Sequence, residues 1–462
     1  MTRIMWFRRD LRLTDHPALL EAHRHGPVVP VFVIDPPLWQ RAGSVRRAWL
    51  AASVQALNES LNGELVVRIG SPKTVLTELA QETGAAAVHV SRETTPVGAR
   101  RDRLVASALG VLGIAWVETG TPYAVGPGLV TKGDGQPYKV FTPFSRAWAA
   151  LGSPSPAPPL STNAAWVSLP HSNRAVQALA DAVAEPGVPA LPPAGERAAL
   201  RCWSEFLECR LGGYATARDR ADLPGTSRLS PYLKVGAIHP RTLLAGLGGL
   251  RGEDADRFRL ELAWRDFYAD VLWRNPSSAW TDLVTTLDRL EYDDETTSEV
   301  ACAIDAWRAG LTGFPIVDAG MRQLRRTGWM HNRVRMITAS FLTKDLHVRW
   351  QVGARHFLDL LLDGDIASNN HGWQWVAGTG TDASPYVRVF NPVTQGQRFD
   401  PAGDYVRRWV PELTHLRGAD VHEPWRHPQG YTAGYPERIV DHAAERAEAL
   451  RRFAAARGQP SN

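Results

Sequence analysis

Apolar residues in the first quarter of the chain come in short, β-rich runs at residues 4–7, 28–34, 65–69, 87–90 and 114–117. Amphipathic stretches lie between them, among them 47–61 and 74–83, with apolar positions at helical spacing. Strands alternating with helices predict right-handed βαβ units and a parallel sheet with buried strands. No GxGxxG follows the first strand, so a dinucleotide fingerprint is absent. The strand runs instead into FRRDLRLTDHPAL (residues 7–19). Ligands of such sheets bind beyond the strand C-termini, where Arg8, Arg9 and Asp10 fall. A solvated charged turn is an equal reading of those three residues.

The pattern changes twice more. Residues 126–195 are turn-rich, with Pro-, Ala- and Ser-rich tracts such as GSPSPAPPLSTNAAW and EPGVPALPPAGE. They read as a surface linker with one ordered segment at 139–148. From residue 196 the periodicity is helical: Trp203, Phe206, Leu207 and Leu211 share a spacing, and Gly212 and Gly213 follow. Ser230 and Pro231 suggest an N-cap and a first helical position. Further helices are predicted at 256–273, at 316–326 after Pro315 and before Gly328, and at 329–346. The expected organisation is an α/β domain at 1–125, a linker at 126–195 and a large all-α domain at 196–462.

Composition narrows the class. The chain has 462 residues, too many for one ordinary domain, and is 44% hydrophobic and 22% charged, as soluble globular proteins are. A net charge of +4 and a pI near 9.0 suit an anionic partner if the arginines gather on one face. Genomic base composition produces the same excess in an Arg- and Ala-rich chain. Cys202, Cys209 and Cys302 have neither disulfide-framework nor zinc spacing, which points to a reducing compartment. The charged start MTRIMWFRRDLRL does not resemble a signal peptide, and no run has membrane-helix length. A soluble cytoplasmic protein is expected.

Candidate chemistry concentrates in the helical part. In RFRLELAWRDFYADVLW, Glu261, Trp264, Arg265 and Tyr268 are spaced i, i+3, i+4, i+7 and share one face. A carboxylate, an indole, a guanidinium and a phenol together suit a cavity that stacks a flat ligand and bonds its edge. A capped surface helix with one tucked Trp is the plainer alternative. In HNRVRM, Asn332 and Met336 face the same way, with Arg335 one step aside. In LDGDIASNN, Gly364 permits a tight turn between Asp363 and Asp365, and Asp363 can pair with Arg335. The DGD pair with nearby His371 matches no trusted metal loop, so no metal is expected. TSRLS, residues 226–230, offers hydroxyls and N–H groups beside a helix start, which serves either a phosphate or an ordinary capping turn. The whole stretch 328–375 is too polar and too aromatic for a plain helical core, as if a ligand had set its residues.

Taken in order, FRRDLRLTDHPAL, GTSRLS, ELAWRDFY, TGFPIVDAGMRQLRRTGWMHNRVRM, LDGDIASNNHGWQW and GTGTDASPYVRVFNP resemble the DNA photolyase/cryptochrome family, most nearly its class I cyclobutane pyrimidine dimer photolyases. The motifs span nearly the whole chain. The resemblance implies an N-terminal Rossmann-like antenna domain, a linker, and a helical domain holding U-shaped FAD beneath a surface cavity. It implies that Tyr214, Thr226, Ser227, Arg228, Leu229 and Ser230 bind the FAD phosphates and nearby groups, and that Arg265 reaches the cofactor. Asn332 would face the flavin N5. Arg335 and Asp363 would pair beside the isoalloxazine, and Asp365 and Asn369 would complete the contacts. Glu261, Trp264, Asn332, Met336 and Trp375 would line the lesion cavity. Arg333, Arg388 and Gln395 would meet the DNA backbone, with Glu261, Trp264 and Arg265 also on the DNA side.

The implied activity is light-dependent repair. A dimer stacked in a duplex cannot approach a buried flavin and must be flipped out, a step that damaged pairing makes easier. The cofactor performs the electron transfer; the protein stacks, orients and binds phosphate. Trp373 and Trp350 match the inner and middle members of the family's tryptophan relay. The outer member is missing: Thr297 stands at the expected distance before Trp307, and Tyr292 is a nearby substitute. Arg8, Asp10 and the loop SRETTPVGARRD (residues 91–102, with Glu93, Thr95 and Val97) fall where the family holds an antenna chromophore, an 8-hydroxydeazaflavin or a methenyltetrahydrofolate. A cryptochrome-type receptor is disfavoured by the cavity set and by the short C-terminus. A (6-4) photolyase is disfavoured by Met336 where histidine is expected. A non-catalytic flavin or nucleic-acid binder is distinguished by colour and illumination. The expected partner is UV-damaged DNA, the expected state a monomer without membrane attachment.

Overall fold

The computed structural model describes residues 1–161, 164–170, 172–287, 289–381 and 388–458. Residues 382–387 of the GTGTDASPYVRVFNP motif lie outside the described residues, as do three positions of the expected linker (162, 163 and 171). The chain forms two compact units. The first comprises Met1–Gly212, Ser227–Pro276 and Leu362–Ala367; the second comprises Gly213–Thr226, Ser277–Leu361 and Ser368–Asn462.

In the first unit the strands are β1 (Arg3–Phe7), β2 (Val28–Ile34), β3 (Val66–Ile69), β4 (Ala87–Val90) and β5 (Ala115–Glu118). They make one parallel five-stranded sheet in the order β3-β2-β1-β4-β5. β1 registers Arg3 against Val28 on one side and Ala87 on the other. The order reverses between β1 and β4, which is the switch point where such sheets leave a crevice at the strand C-termini. Arg8–Asp10 and Ser91–Glu93 emerge there and, with Pro122, line a small cleft. Two strands start one residue later than expected. Leu65 stays out of the β3 ladder because its N–H bonds the Asn58 side chain at 3.1 Å. β5 begins at Ala115, the register partner of Ala87, and runs on to Glu118.

The segment 126–195 is more ordered than a linker with one helix. Beside Phe141–Leu151 it forms a second helix, Asn173–Val183, started by a Ser172 side-chain cap. Ala175, Leu179 and Ala182 bury one face of that helix, which packs on Ser44–Ser60. Trp166 makes a parallel bridge to Val28.

Three helix boundaries also differ. Ser230 is the first helical residue of Ser230–Val235, not its cap, because Leu229 already sits in the cap position with its side chain buried. The long helix runs Glu253–Arg274; Glu253, Asp254 and Asp256 in its first turn suit the positive end of the helix dipole. The run expected at 329–346 divides. The His331 side chain accepts the Arg333 N–H and so starts the helix Asn332–Ser340, which widens into a π turn at Phe341–Asp345. The second unit's core gathers Trp307, Phe314, Met321, Phe341, Trp350, Phe357, Trp373 and Tyr405. Among the described residues no helix is long and apolar enough to cross a membrane.

Candidate functional site

The expected site residues divide between the two units. In the first, helix Glu253–Arg274 carries Glu261, Trp264, Arg265 and Tyr268 as a half-buried stripe, while Leu262, Ala263, Asp266 and Phe267 are buried. The predicted face is therefore real, and it is neither core nor fully solvated. Trp264 lies parallel to Phe141, with ring centroids 3.5 Å apart and planes 8° apart. One face of the indole is thus covered by the chain itself. Arg265 donates to the carbonyls of Pro122 (2.7 Å) and Leu233 (3.2 Å) and lies over the Tyr123 ring. Its guanidinium thus braces the loop at Pro122 against the short helix Ser230–Val235.

The same helix buries two carboxylates. Asp266 accepts from the N–H of Val125 and from Trp148 Nε1, both at 2.9 Å, and Asp270 accepts from the Gly128 N–H at 2.7 Å. Burial raises the Asp266 pKa, and the hydrogen bonds around it oppose that rise. These bonds fasten the 124–128 segment and helix Phe141–Leu151 to the helix that carries the stripe.

Asp363 and Asp365 are both buried in the first unit. The Asp365 Oδ2 pairs with Arg9 Nη2 at 2.7 Å and with Lys234 Nζ at 3.4 Å. Burial lowers Lys234 to about 8, with Asp365 pulling the other way. Burial also works against the Arg9 charge, yet Tyr123, Asp365 and Glu93 hold its pKa above the usual range. Arg9 approaches closely because Gly236 leaves space: a Cβ there would collide with the Arg9 carbonyl. Arg9 was expected at the strand C-termini but not as the partner of Asp365, and Lys234 was not singled out by any motif.

Within TSRLS, Arg228 takes a left-handed backbone conformation (φ 58°), and Ser227 and Ser230 are at least partly exposed. Ser227 Oγ accepts from the Leu229 N–H at 3.4 Å, and its carbonyl accepts from Cys202 Sγ. The antenna candidates pair among themselves. Arg8 bonds Asp102 and the Ser91 carbonyl; Asp10 accepts from the Arg8 N–H and from Ser91 Oγ; Glu93 accepts from the N–H groups of Thr94 and Thr95.

In the second unit, Asn332 is exposed and Met336 half-buried, with Asn332 Nδ2 4.0 Å from Met336 Sδ. Arg335 Nε donates to the Met330 carbonyl at 2.8 Å. Arg333 pairs with Asp219 at 3.0 Å and lies over Phe399. Gln395 lies on helix Pro392–Phe399, half-buried, and Arg388 is exposed just before that helix. Tyr214 is buried and Thr226 half-buried. Asn369 Nδ2 donates to the Ala354 carbonyl at 3.1 Å and to Asn370 Oδ1 at 2.9 Å.

Helix Ile366–Ala377 corrects the notion that a ligand set this whole stretch. Asn370, His371 and Gln374 are completely buried. Asn370 donates to the Ala279 carbonyl, His371 Nε2 meets Ser278 Oγ at 2.9 Å, and Gln374 bonds both the Ser278 carbonyl (2.7 Å) and the Leu283 N–H (3.0 Å). These side chains supplement the sparse backbone bonds of the 278–283 segment. Trp375 on the same helix is half-buried against the core.

Trp373 is edge-on to Phe357 (4.9 Å, 76°) and to Trp307 (6.1 Å, 73°), in space that Gly353 leaves open by lacking a Cβ. Trp350 is fully buried and donates its indole N–H to Asp282 at 2.6 Å. Thr297 is an exposed helix cap. Tyr292 is half-buried, with Arg349 5.0 Å from its ring centre; burial and the Asp282 charge raise its pKa.

The donor chemistry suits FAD. Hydroxyls beside a left-handed turn, as at 226–230, are groups of the kind that bind phosphate, and side-chain amides, as at Asn332 and Asn369, are of the kind that bond a heterocycle edge. Among the described residues no cluster of three His, Cys, Asp or Glu is arranged to hold a metal.

Comparison with known proteins agrees with this chemistry. Residues 258–455 match the FAD binding domain of DNA photolyase and residues 3–161 match DNA photolyase. The deoxyribodipyrimidine photo-lyase of Streptomyces griseus is 42% identical over 469 residues, covering 98% of this chain and 99% of the relative. That of Vibrio cholerae is 39% identical over 479 residues, covering 99% and 100%. The crystal structure of a bacterial class III photolyase from Agrobacterium tumefaciens superposes with a TM-score of 0.89 at 38% identity, covering 99% of this chain and 98% of that one. The likeness thus reaches across the class division expected from the motifs, and the chain belongs to the DNA photolyase family.

Proposed function

We propose that this chain splits cyclobutane pyrimidine dimers in UV-damaged DNA under light. The observation that carries the reading is the half-buried stripe Glu261–Trp264–Arg265–Tyr268, borne on a helix whose buried carboxylates, Asp266 and Asp270, are spent on the fold. FAD, bound in its reduced form, would supply the light-driven one-electron chemistry by which the two ring bonds open. The chain's own residues prepare that event. The open side of Trp264, and Trp375, offer aromatic walls to a flipped-out dimer, and Met336 adds an adaptable apolar contact. Glu261 accepts a hydrogen bond from a pyrimidine edge. Asn332 presents an amide to the flavin N5, an amide being able to donate or accept. Arg335, Asp363, Asn369, Tyr214 and residues 226–230 hold the rest of the cofactor, and Arg9 and Lys234 fix the Asp365 end of the DGD turn. Arg333, Arg388 and Gln395 meet the DNA backbone. The reading places the chain in the cytoplasm as a monomer, in keeping with three free cysteines.

The test is loss of thymine dimers from an irradiated oligonucleotide, using protein whose flavin has been chemically reduced. Dimers should disappear in blue or near-ultraviolet light and persist in the dark; persistence in both overturns the proposal. Trp373 and Trp350 are assigned to electron supply. Trp373→Phe should slow photoreduction of oxidised flavin by about tenfold or more, an order-of-magnitude expectation for losing a relay step, while pre-reduced protein repairs normally. Transient absorption and the dimer assay read the two effects separately.

A further inference from the structure

Residues 388–391 lead into helix Pro392–Phe399 and make no ladder among the described residues. Their backbone groups are instead met by side chains from one element, the helix Asn332–Ser340 and the π turn that continues it. Lys344 Nζ donates to the Arg388 carbonyl at 2.5 Å, and Ser340 Oγ accepts from the Phe390 N–H at 3.2 Å. The two donor and acceptor side chains are four residues apart. Phe390 packs against the core, and the Asn391 side chain caps helix Pro392–Phe399. The connection is therefore pinned at both ends and in the middle, while the Arg388 side chain is exposed.

Lys344 is unusual. It is 3% exposed, and its ammonium bonds a carbonyl rather than a carboxylate. Burial lowers it to about 8, so the ammonium is retained at neutral pH at a cost. A buried methionine would serve the core with less penalty. The bond to residue 388 supplies a reason for the lysine. The π turn supplies another, since such turns recur at functional places.

We propose that Lys344 and Ser340 are positioning residues for DNA binding: they hold residues 388–391 so that Arg388 meets a backbone phosphate. This rests on the reading of Arg388 as a phosphate contact. It adds that the helix bearing Asn332 and Met336 also sets the place of a DNA-binding arginine, so that lesion wall and phosphate clamp share one support.

The experiment measures dark binding of the FAD-loaded protein to a duplex with one thymine dimer, across salt concentrations. Four variants are compared: Arg388→Ala, Lys344→Met, Ser340→Ala and the double Lys344→Met/Arg388→Ala. Losing one phosphate contact should lower the slope of log K against log salt by about 0.9. Arg388→Ala and Lys344→Met should each show that loss, and the double variant should lose no more than either alone. A parent slope in Lys344→Met beside a lowered slope in Arg388→Ala overturns the positioning role and leaves the phosphate contact standing. Additive losses in the double variant overturn it too. A parent slope in Arg388→Ala removes the phosphate contact itself. Should Lys344→Met fail to load flavin, Ser340→Ala is judged by the same criteria.

Discussion

Helix Glu253–Arg274 places Glu261, Trp264, Arg265 and Tyr268 on a half-buried stripe, whereas helix Ile366–Ala377 buries Asn370, His371 and Gln374 completely. Both sequences depart from an aliphatic core pattern, and for both a ligand is the natural suspect. The structure separates them by partner. The buried amides and imidazole are matched to Ser278, Ala279 and Leu283, so their chemistry is consumed in holding irregular backbone. The stripe keeps partial exposure and an aromatic face backed by Phe141. Polarity inside a helix thus indicates a need for partners, and the burial of those partners tells whether the need is structural.

If that distinction is right, substitutions on the two helices must have opposite signatures. The largest loss of stability should come from Gln374→Leu, which leaves the Ser278 carbonyl and the Leu283 N–H without their side-chain partner. The Leu283 N–H keeps the Thr379 carbonyl at 3.1 Å, so one unsatisfied group and about 1–3 kcal/mol are expected, read as a lower urea midpoint with flavin retained until unfolding. An unchanged midpoint would place Gln374 with the ligand residues. A smaller effect should come from His89, a third kind of polar residue, buried in β4 with both ring nitrogens lacking a hydrogen-bond partner. Burial, then Arg3, lowers its pKa from 6.5 to about 4. The folded state therefore resists the proton that the unfolded state accepts, so the neutral ring's contribution is present above about 6.5 and lost as pH falls towards 4. His89→Leu should flatten the acid side of the stability curve by about 1 kcal/mol per pH unit or less. Equal curves for the two proteins would contradict it. The smallest stability change belongs to Glu261→Ala, about 0.5 kcal/mol, as for a partly exposed side chain. Its repair rate should nonetheless fall by about tenfold, the loss of roughly one charged hydrogen bond. Equal loss of bound flavin would move Glu261 from the lesion to the cofactor.

Local pattern made much of this visible in advance. The alternation of strands and helices placed β1 to β5 to within a residue, and the spacing of Glu261, Trp264, Arg265 and Tyr268 placed the stripe. Asn332 and Met336 meet as helical spacing requires. What stayed hidden was every partner distant in sequence. Asp219 for Arg333, Asp282 for Trp350, Phe141 for Trp264 and Arg9 for Asp365 are adjacent only after folding. The second helix of the 126–195 segment was masked by the Pro-rich tracts that flank it, although Ser172 and the Ala175, Leu179, Ala182 spacing were present. The Ser230 cap failed because a buried Leu229 took the position by packing.

The pairing of Arg9 with Asp365 joins residues 356 positions apart. The first unit therefore has a piece, Leu362–Ala367, that is synthesised long after its sheet. At roughly 5–20 residues per second, a ribosome needs about 20–70 s to deliver that piece. Until then Arg9 and Lys234 share the influence of Glu93 but lack the carboxylate that both of them bind. Such long-range closure is slow, because loop entropy must be overcome before the contact is made. Truncation before residue 362 should thus leave even the N-terminal unit incomplete, because that unit is completed only by the arrival of an anion.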